Sequence, residues 1–192
     1  MPTRYSRIST WGIRTNGQPM MNQLMFDDEM AYGTTVANKR RDHALSIGAR
    51  EMYGFAGDDA EARRLHVLGT IAELAVRKAV RLSGVELNWR ELPRGLGEPD
   101  LYCPGPAIKI DVKGVSLDRF TLIVPPDQLK DTWLYISVSG ENSPMYWIQG
   151  WCWGYQIDPE MWHAMSRAGG GALIMKKLNR SWAELMKRLR GT

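Results

Sequence analysis

The chain has 192 residues, 44% of them hydrophobic and 24% charged, with a formal net charge of +4. This length is enough for one domain with its own core, and the composition excludes a disordered or fibrous chain. Cys103 and Cys152 cannot by themselves build a zinc site or an iron–sulfur cluster, no apolar run reaches membrane-spanning length, and the start lacks a signal-peptide core.

A cytoplasmic protein with reduced, buried thiols is expected. The mild basicity is compatible with a nucleic-acid partner. Eight tryptophans suit base stacking, or more commonly core and interface packing.

Residues 1–26 are polar with scattered Met and Trp and an Asn16-Gly17 turn signal, and read as an extended arm. Asp27, Asp28 and Glu29 suit the start of a helix running to about residue 49. Lys39, Arg40 and Arg41 then form a basic cluster, equally suited to phosphate contact or to a solvated helix face.

After a break at residues 54–57, Asp58 or Asp59 caps a long helix to about Leu82. Its apolar stripe is Leu65, Leu68, Ile71, Ala72, Ala75, Val76 and Ala79. Glu73 borders that stripe. It is either a buried carboxylate with a partner or a surface residue paired with Arg77 at i+4. Gly69, one turn earlier, suits a close approach of this helix to a sheet.

Residues 85–92, VELNWREL, read as a strand, followed by a Gly/Pro-rich loop. Residues 98–114 carry the densest signal. Pro104-Gly105-Pro106 marks a turn. A four-residue loop over 104–107 sets Cys103 opposite Ile108, Leu101 opposite Ile110 and Asp100 opposite Asp111. One face of the hairpin then holds Leu101, Cys103, Ile108, Ile110 and Val112. The other holds Asp100, Tyr102, Lys109, Asp111 and Lys113. A one-residue slip destroys the division, so the register is well specified.

Two opposed aspartates repel each other unless a cation sits between them, and hard oxygen ligands suit Mg²⁺ or Mn²⁺. Lys113 follows on the same face, about 7 Å along the strand. Two carboxylates, a metal and a lysine are the parts of metal-assisted phosphodiester hydrolysis.

Further β-rich runs cover residues 119–124, 132–138 and 145–153, with a hairpin loop at 139–144. Residues 159–167 read as a short helix and 169–171 as a flexible joint. The tail, residues 176–190, has Leu178, Trp182, Leu185 and Leu189 at helical spacing beneath a basic face.

Pro99-Asp100, ten intervening residues and then Asp111-Val112-Lys113 resemble the signature of the PD-(D/E)xK nuclease superfamily. The helix GTIAELAVRKAV with Glu73 is similar to that superfamily's first core helix. The order of helix, strand and motif hairpin also fits, over roughly residues 59–153. The resemblance implies an α/β fold, a central mixed β-sheet flanked by helices around a restriction-endonuclease-like core. It implies one nuclease domain over 1–192, with an N-terminal arm and helix (1–57), a core (58–153) and a C-terminal helical extension (154–192).

It further implies a divalent-metal-dependent deoxyribonuclease, endonucleolytic at this size. Its site would be Glu73, Asp100, Asp111 and Lys113. Asp100, Asp111 and the backbone carbonyl of Val112 would ligate Mg²⁺ or Mn²⁺, with Glu73 completing the shell directly or through water. Lys113 would position or help deprotonate the attacking water and stabilise charge on the phosphorus. Lys39, Arg40, Arg41 and Lys109 would meet nucleic acid.

His66 is a candidate for the metal-binding histidine of the RecB-type members. Their Gln-x-x-x-Tyr signature is not evident, although Gln149 and Trp153 have similar spacing. A dimer would be needed for junction cutting. Repair, recombination, restriction or a phage-like element are the settings such an enzyme serves. The competing readings are a catalytically inactive nucleic-acid-binding module of the same fold, and an unrelated α/β protein with a surface Asp111–Lys113 ion pair.

Overall fold

The computed structural model describes residues 20–46, 59–92, 98–115, 122–125, 128–140, 144–157, 162–164, 171–175 and 178–192. Their elements are β1 (Met21–Leu24), α1 (Asp27–Ser46), α2 (Asp59–Leu82), β2 (Asn88–Trp89), β3 (Leu101–Cys103), β4 (Ile108–Val115), β5 (Leu122–Val124), β6 (Leu134–Ser139), β7 (Met145–Trp153), β8 (Trp162–Ala164), β9 (Gly171–Met175) and α3 (Trp182–Arg190). Six strands form a mixed sheet in the order β1-β7-β6-β4-β3-β2, and β5-β9-β8 form a smaller sheet. In the larger sheet β4 and β6 run parallel and the other neighbours antiparallel. The architecture is therefore α/β, a mixed sheet flanked by helices. Among the described residues no helix is long and apolar enough to cross a membrane.

Alternation along the strands divides the core in two. Leu134, Ile136 and Val138 of β6 join Ile110, Val112, Trp151 and the α2 stripe in the larger cluster. Tyr135 and Cys152 point the other way, into a smaller cluster with Leu122, Val124, Trp133 and Ile157. All six residues of β6 are buried, as expected of a strand covered on both faces. Both cysteines are free and buried, one in each cluster.

The long helix runs as its capping and periodicity require, from Asp59 to Leu82. Its burial is wider than one stripe, because residues 70–76 are buried without interruption. The cause is α1, which lies over the face of α2 turned away from the sheet. Most residues of α1 are polar, and its buried residues are Gly33, Val36, Ala37 and Arg41. A methyl group on Gly33 would stand 2.7 Å from Ile71 Cγ1, so glycine sets this close approach. The approach of α2 to the sheet is set at Gly114, where a Cβ would stand 3.1 Å from Leu68 Cγ. Gly69, the expected contact point, has nothing within 4 Å of its Cβ position.

Several expectations are corrected. Only Asn88–Trp89 of residues 85–92 is strand. The short helix expected over 159–167 is contradicted where the chain is described, because Trp162–Ala164 pairs with β9 as a strand. Gly171, expected in a flexible joint, opens β9. In the tail, α3 starts at Trp182. Ser181 caps it by accepting from the Glu184 N–H at 3.1 Å, and Gly191 ends it at φ 72°. Leu178 lies outside this helix and packs on the smaller core cluster. Leu185 and Leu189 are buried in the larger one. The expected arm lies mostly outside the described residues, and its end is the edge strand β1 on β7.

Candidate active site

The hairpin has the register that its alternation requires. Leu101 pairs with Ile110, Tyr102 with Lys109 and Cys103 with Ile108. Ala107, and not Gly105, takes the left-handed conformation in the turn (φ 58°). The backbone ladder stops at Leu101. One residue earlier the Asp100 side chain takes over, its Oδ2 accepting the Val112 N–H at 2.7 Å. The site therefore begins where the two strands stop exchanging backbone hydrogen bonds.

Asp111 is buried and belongs to the sheet face of Tyr135, its neighbour across the parallel β4–β6 ladder. Lys113 follows on that face. Its Nζ lies 2.9 Å from Asp111 Oδ1 and donates to Gln128 Oε1 at 3.0 Å. The ion pair is not aligned as a hydrogen bond, so Asp111 Oδ1 is buried without a hydrogen-bond donor among the described residues. Gln128 sits on a segment fixed by Tyr135. The Tyr135 hydroxyl donates to the Gln128 carbonyl and accepts the Lys130 N–H, each at 2.9 Å. Burial pushes that hydroxyl's pKa up to about 12, so it remains a neutral strut at any physiological pH.

Glu73 comes to the same region from α2. Arg40 Nη1 donates to both of its oxygens at 2.8 Å, and the Trp89 indole N–H donates to Oε2 at 2.7 Å. The alternative of a surface glutamate paired with Arg77 is thereby excluded. Arg40 is held further: its Nε donates to the Glu91 carbonyl at 3.0 Å and its Nη2 to the Arg90 carbonyl at 2.6 Å. One guanidinium thus ties α1, α2 and the end of β2 together around a buried carboxylate.

The three carboxylates are close enough to act on one another. Burial, then the charges of Glu73 and Asp111, hold Asp100 well above the ordinary aspartate range, against the opposing effects of Lys113 and the Val112 N–H. Burial also raises Glu73, against Arg40 and Trp89, with a smaller contribution from Asp111. Glu73, Asp100, Asp111 and Lys113 are therefore brought together from α2, from the residue before β3 and from β4, across 41 positions of sequence, 73 to 113. Both Glu73 oxygens are engaged, so it faces this centre as a charge rather than as an open donor. Among the described residues no group of three or more His, Cys, Asp or Glu side chains is arranged to hold a metal ion. His66 lies two turns before Glu73 on α2, half-buried.

The expected nucleic-acid contacts separate. Lys39 is exposed. Arg40 is turned onto Glu73, and Arg41 is buried in an ion pair with Asp59. Lys109 is exposed, its Nζ 5.9 Å from the Trp133 ring centre. Sequence reasoning missed Arg40 and Trp89 as partners of Glu73, and Gln128 and Tyr135 beside Lys113. Only Trp89, an aromatic one residue before Arg90 in a polar stretch, carried a local hint.

Compared with known proteins, the chain matches no family profile and no curated sequence.

Proposed function

We propose that the protein is a divalent-metal-dependent nuclease that cuts phosphodiester bonds within DNA, built on a restriction-endonuclease-like core. The observation that carries this reading is the hairpin end, where Asp100 and Asp111 meet beside Lys113 under mutual repulsion. A fold gains nothing from such a pair unless positive charge is bound there. The donor set fits a hard cation: it is all oxygen, and one buried oxygen of Asp111 lacks a hydrogen-bond donor among the described residues. The order α2, motif hairpin, then a strand parallel to its second arm supports the same core.

Asp100, Asp111 and the Val112 carbonyl would hold Mg²⁺ or Mn²⁺. Such an ion polarises a phosphate oxygen and makes a bound water more acidic. The chain's own contribution is orientation and charge. The Val112 N–H fixes the Asp100 carboxylate. Gln128 and Asp111 hold the Lys113 ammonium at the centre, as a donor to a phosphate oxygen or to the attacking water. Glu73, locked by Arg40, sets the negative field behind them.

The engagement of Glu73 by Arg40 and of Asp111 by Lys113 favours the second reading, a nucleic-acid-binding module of the same fold that does not cut. Cleavage assays separate the two. Supercoiled plasmid, linear duplex, single-stranded and branched DNA are incubated with Mg²⁺ or Mn²⁺, with EDTA and Lys113→Ala controls. Metal-dependent cutting that disappears in Lys113→Ala supports the nuclease. Binding without cutting by a folded protein transfers the assignment to the module. Melting with and without Mn²⁺ adds a test independent of turnover: the wild type should gain stability and Asp111→Asn should not.

A further inference from the structure

A second feature lies beside this centre, in the groove between α1 and the C-terminal half of α2. Its volume is about 170 Å³, and Met25, Leu74, Tyr32, Arg77, Lys78 and Arg81 line it together with Glu29. Among the lining residues three cations face one anion, and a second carboxylate, Glu91, stands at the rim, where it accepts the Tyr32 hydroxyl hydrogen bond. Glu29 is taken by Lys78 at 2.5 Å, which leaves the charge of Arg77 and Arg81 without a carboxylate partner among the described residues. The Arg77 Nε is buried with no hydrogen-bond acceptor among the described residues. Glu73, Arg77 and Arg81 stand at i, i+4 and i+8 along α2, so one helix face leads from the catalytic carboxylates into the groove, about 6 Å per step.

Aromatic surface accompanies that row. Trp89, hydrogen-bonded to Glu73, has two guanidinium groups against its ring, Arg40 at 5.2 Å and Arg77 at 5.8 Å from the ring centre. Tyr32 is tilted against Trp89 at 6.1 Å and keeps 43% of its surface exposed on the groove. Unneutralised cations spaced along a track, with an exposed ring beside them, are what a single nucleic-acid strand requires: charge for phosphates and a flat face for a base. A solvated helix face would not need the groove, the ring or the buried guanidinium nitrogen.

We propose that this groove carries one strand of the nucleic acid away from the Asp100–Asp111 centre, with Arg77 and Arg81 on its phosphates and Tyr32 as a stacking platform. The inference rests on the nuclease reading and names the path of its substrate.

The test is fluorescence anisotropy of a labelled single-stranded oligodeoxynucleotide in EDTA, so that binding is read without metal or turnover. Arg81→Glu should weaken binding about tenfold and reduce the slope of log affinity against log salt by about 1. Tyr32→Ala should weaken it about tenfold with the slope unchanged, and Tyr32→Phe should bind as the wild type. Arg63→Glu makes the same charge change on α2, 18 positions from Arg81, and should leave binding intact. Equal losses in Arg63→Glu and Arg81→Glu would reduce the effect to net charge and overturn the proposal. So would wild-type binding in Arg81→Glu by a protein that still cuts DNA, a result that spares the nuclease reading. A wild type that neither binds nor cuts removes both.

Discussion

Glu73 and Asp111 are buried carboxylates and Asp100 is half-buried between them and solvent; all three lie within electrostatic reach of one another, and the fold supports them differently. Glu73 receives three hydrogen bonds, two from one guanidinium and one from an indole. Asp100 receives one from a backbone N–H, and Asp111 has an ion pair without an aligned hydrogen bond. A buried charge that is fully paired serves the fold, whereas one left short of donors is held ready for a ligand. The contrast separates the arginine clamp from the hairpin end, although both belong to one cluster.

The largest effect is expected at the clamp. Arg40→Ala leaves Glu73 buried and unpaired and should cost about 3–5 kcal/mol in urea unfolding. Adding Glu73→Gln should recover part of that loss. A cost below about 1 kcal/mol would place Glu73 with the two aspartates and erase the distinction.

At the hairpin end the loss should fall on activity. Asp111→Ala and Lys113→Ala are expected to reduce cleavage by about 100-fold or more in proteins that still fold, with the unfolding midpoint of Asp111→Ala near that of the wild type. Full activity in both purified variants would sink the assignment.

The third prediction concerns pH. Asp100 is raised, so the folded protein holds its proton more tightly than the unfolded chain does. That contribution is complete below the ordinary aspartate value of 3.8 and is lost as pH rises through the elevated folded value. Without divalent metal, Asp100→Asn should therefore melt higher than the wild type at pH 7, and the difference should vanish at pH 3.5. An advantage independent of pH would point to packing instead. The smallest effect belongs to the turn: Ala107→Gly relieves a left-handed alanine and should stabilise by about 0.5–1 kcal/mol, with cleavage unchanged.

The hairpin was legible in the sequence because period-two alternation and a Pro-Gly-Pro turn fix register locally, and a slip would bury Asp100 and Lys109 in place of Leu101 and Ile110. The long helix was legible from its cap and stripe. Residues 85–92 misled because strand composition does not tell how much partner strand is present, and here β3 offers only three residues. Residues 159–167 misled because residues 162–164 act as a strand through pairing with a distant segment, β9. Arg40 read as a phosphate ligand because it sits among cations in sequence, and only the packing of α1 on α2 turns it onto Glu73. Gly33 and Gly114 carried the close approaches, and their role depends on which side chains face them across 35 residues and more of chain.

The parallel pairing of β4 with β6 bears on the order in which the site assembles. Asp100 and Asp111 are 11 residues apart and need only a tight turn to meet, an event of microseconds. The contact of Lys113 with Gln128 waits for the crossover that carries the chain from β4 to β6, whose closure entropy precedes any ladder bond. The hairpin thus creates a repulsive pair before the arm that steadies its lysine has arrived. During that interval Lys109 and Lys113 flank Asp111 on the same strand face, two residues to either side, and Lys113 is the one that ends beside its carboxylate. A lysine at that position would act first as an internal counterion for the nascent hairpin, and only later as part of the finished centre.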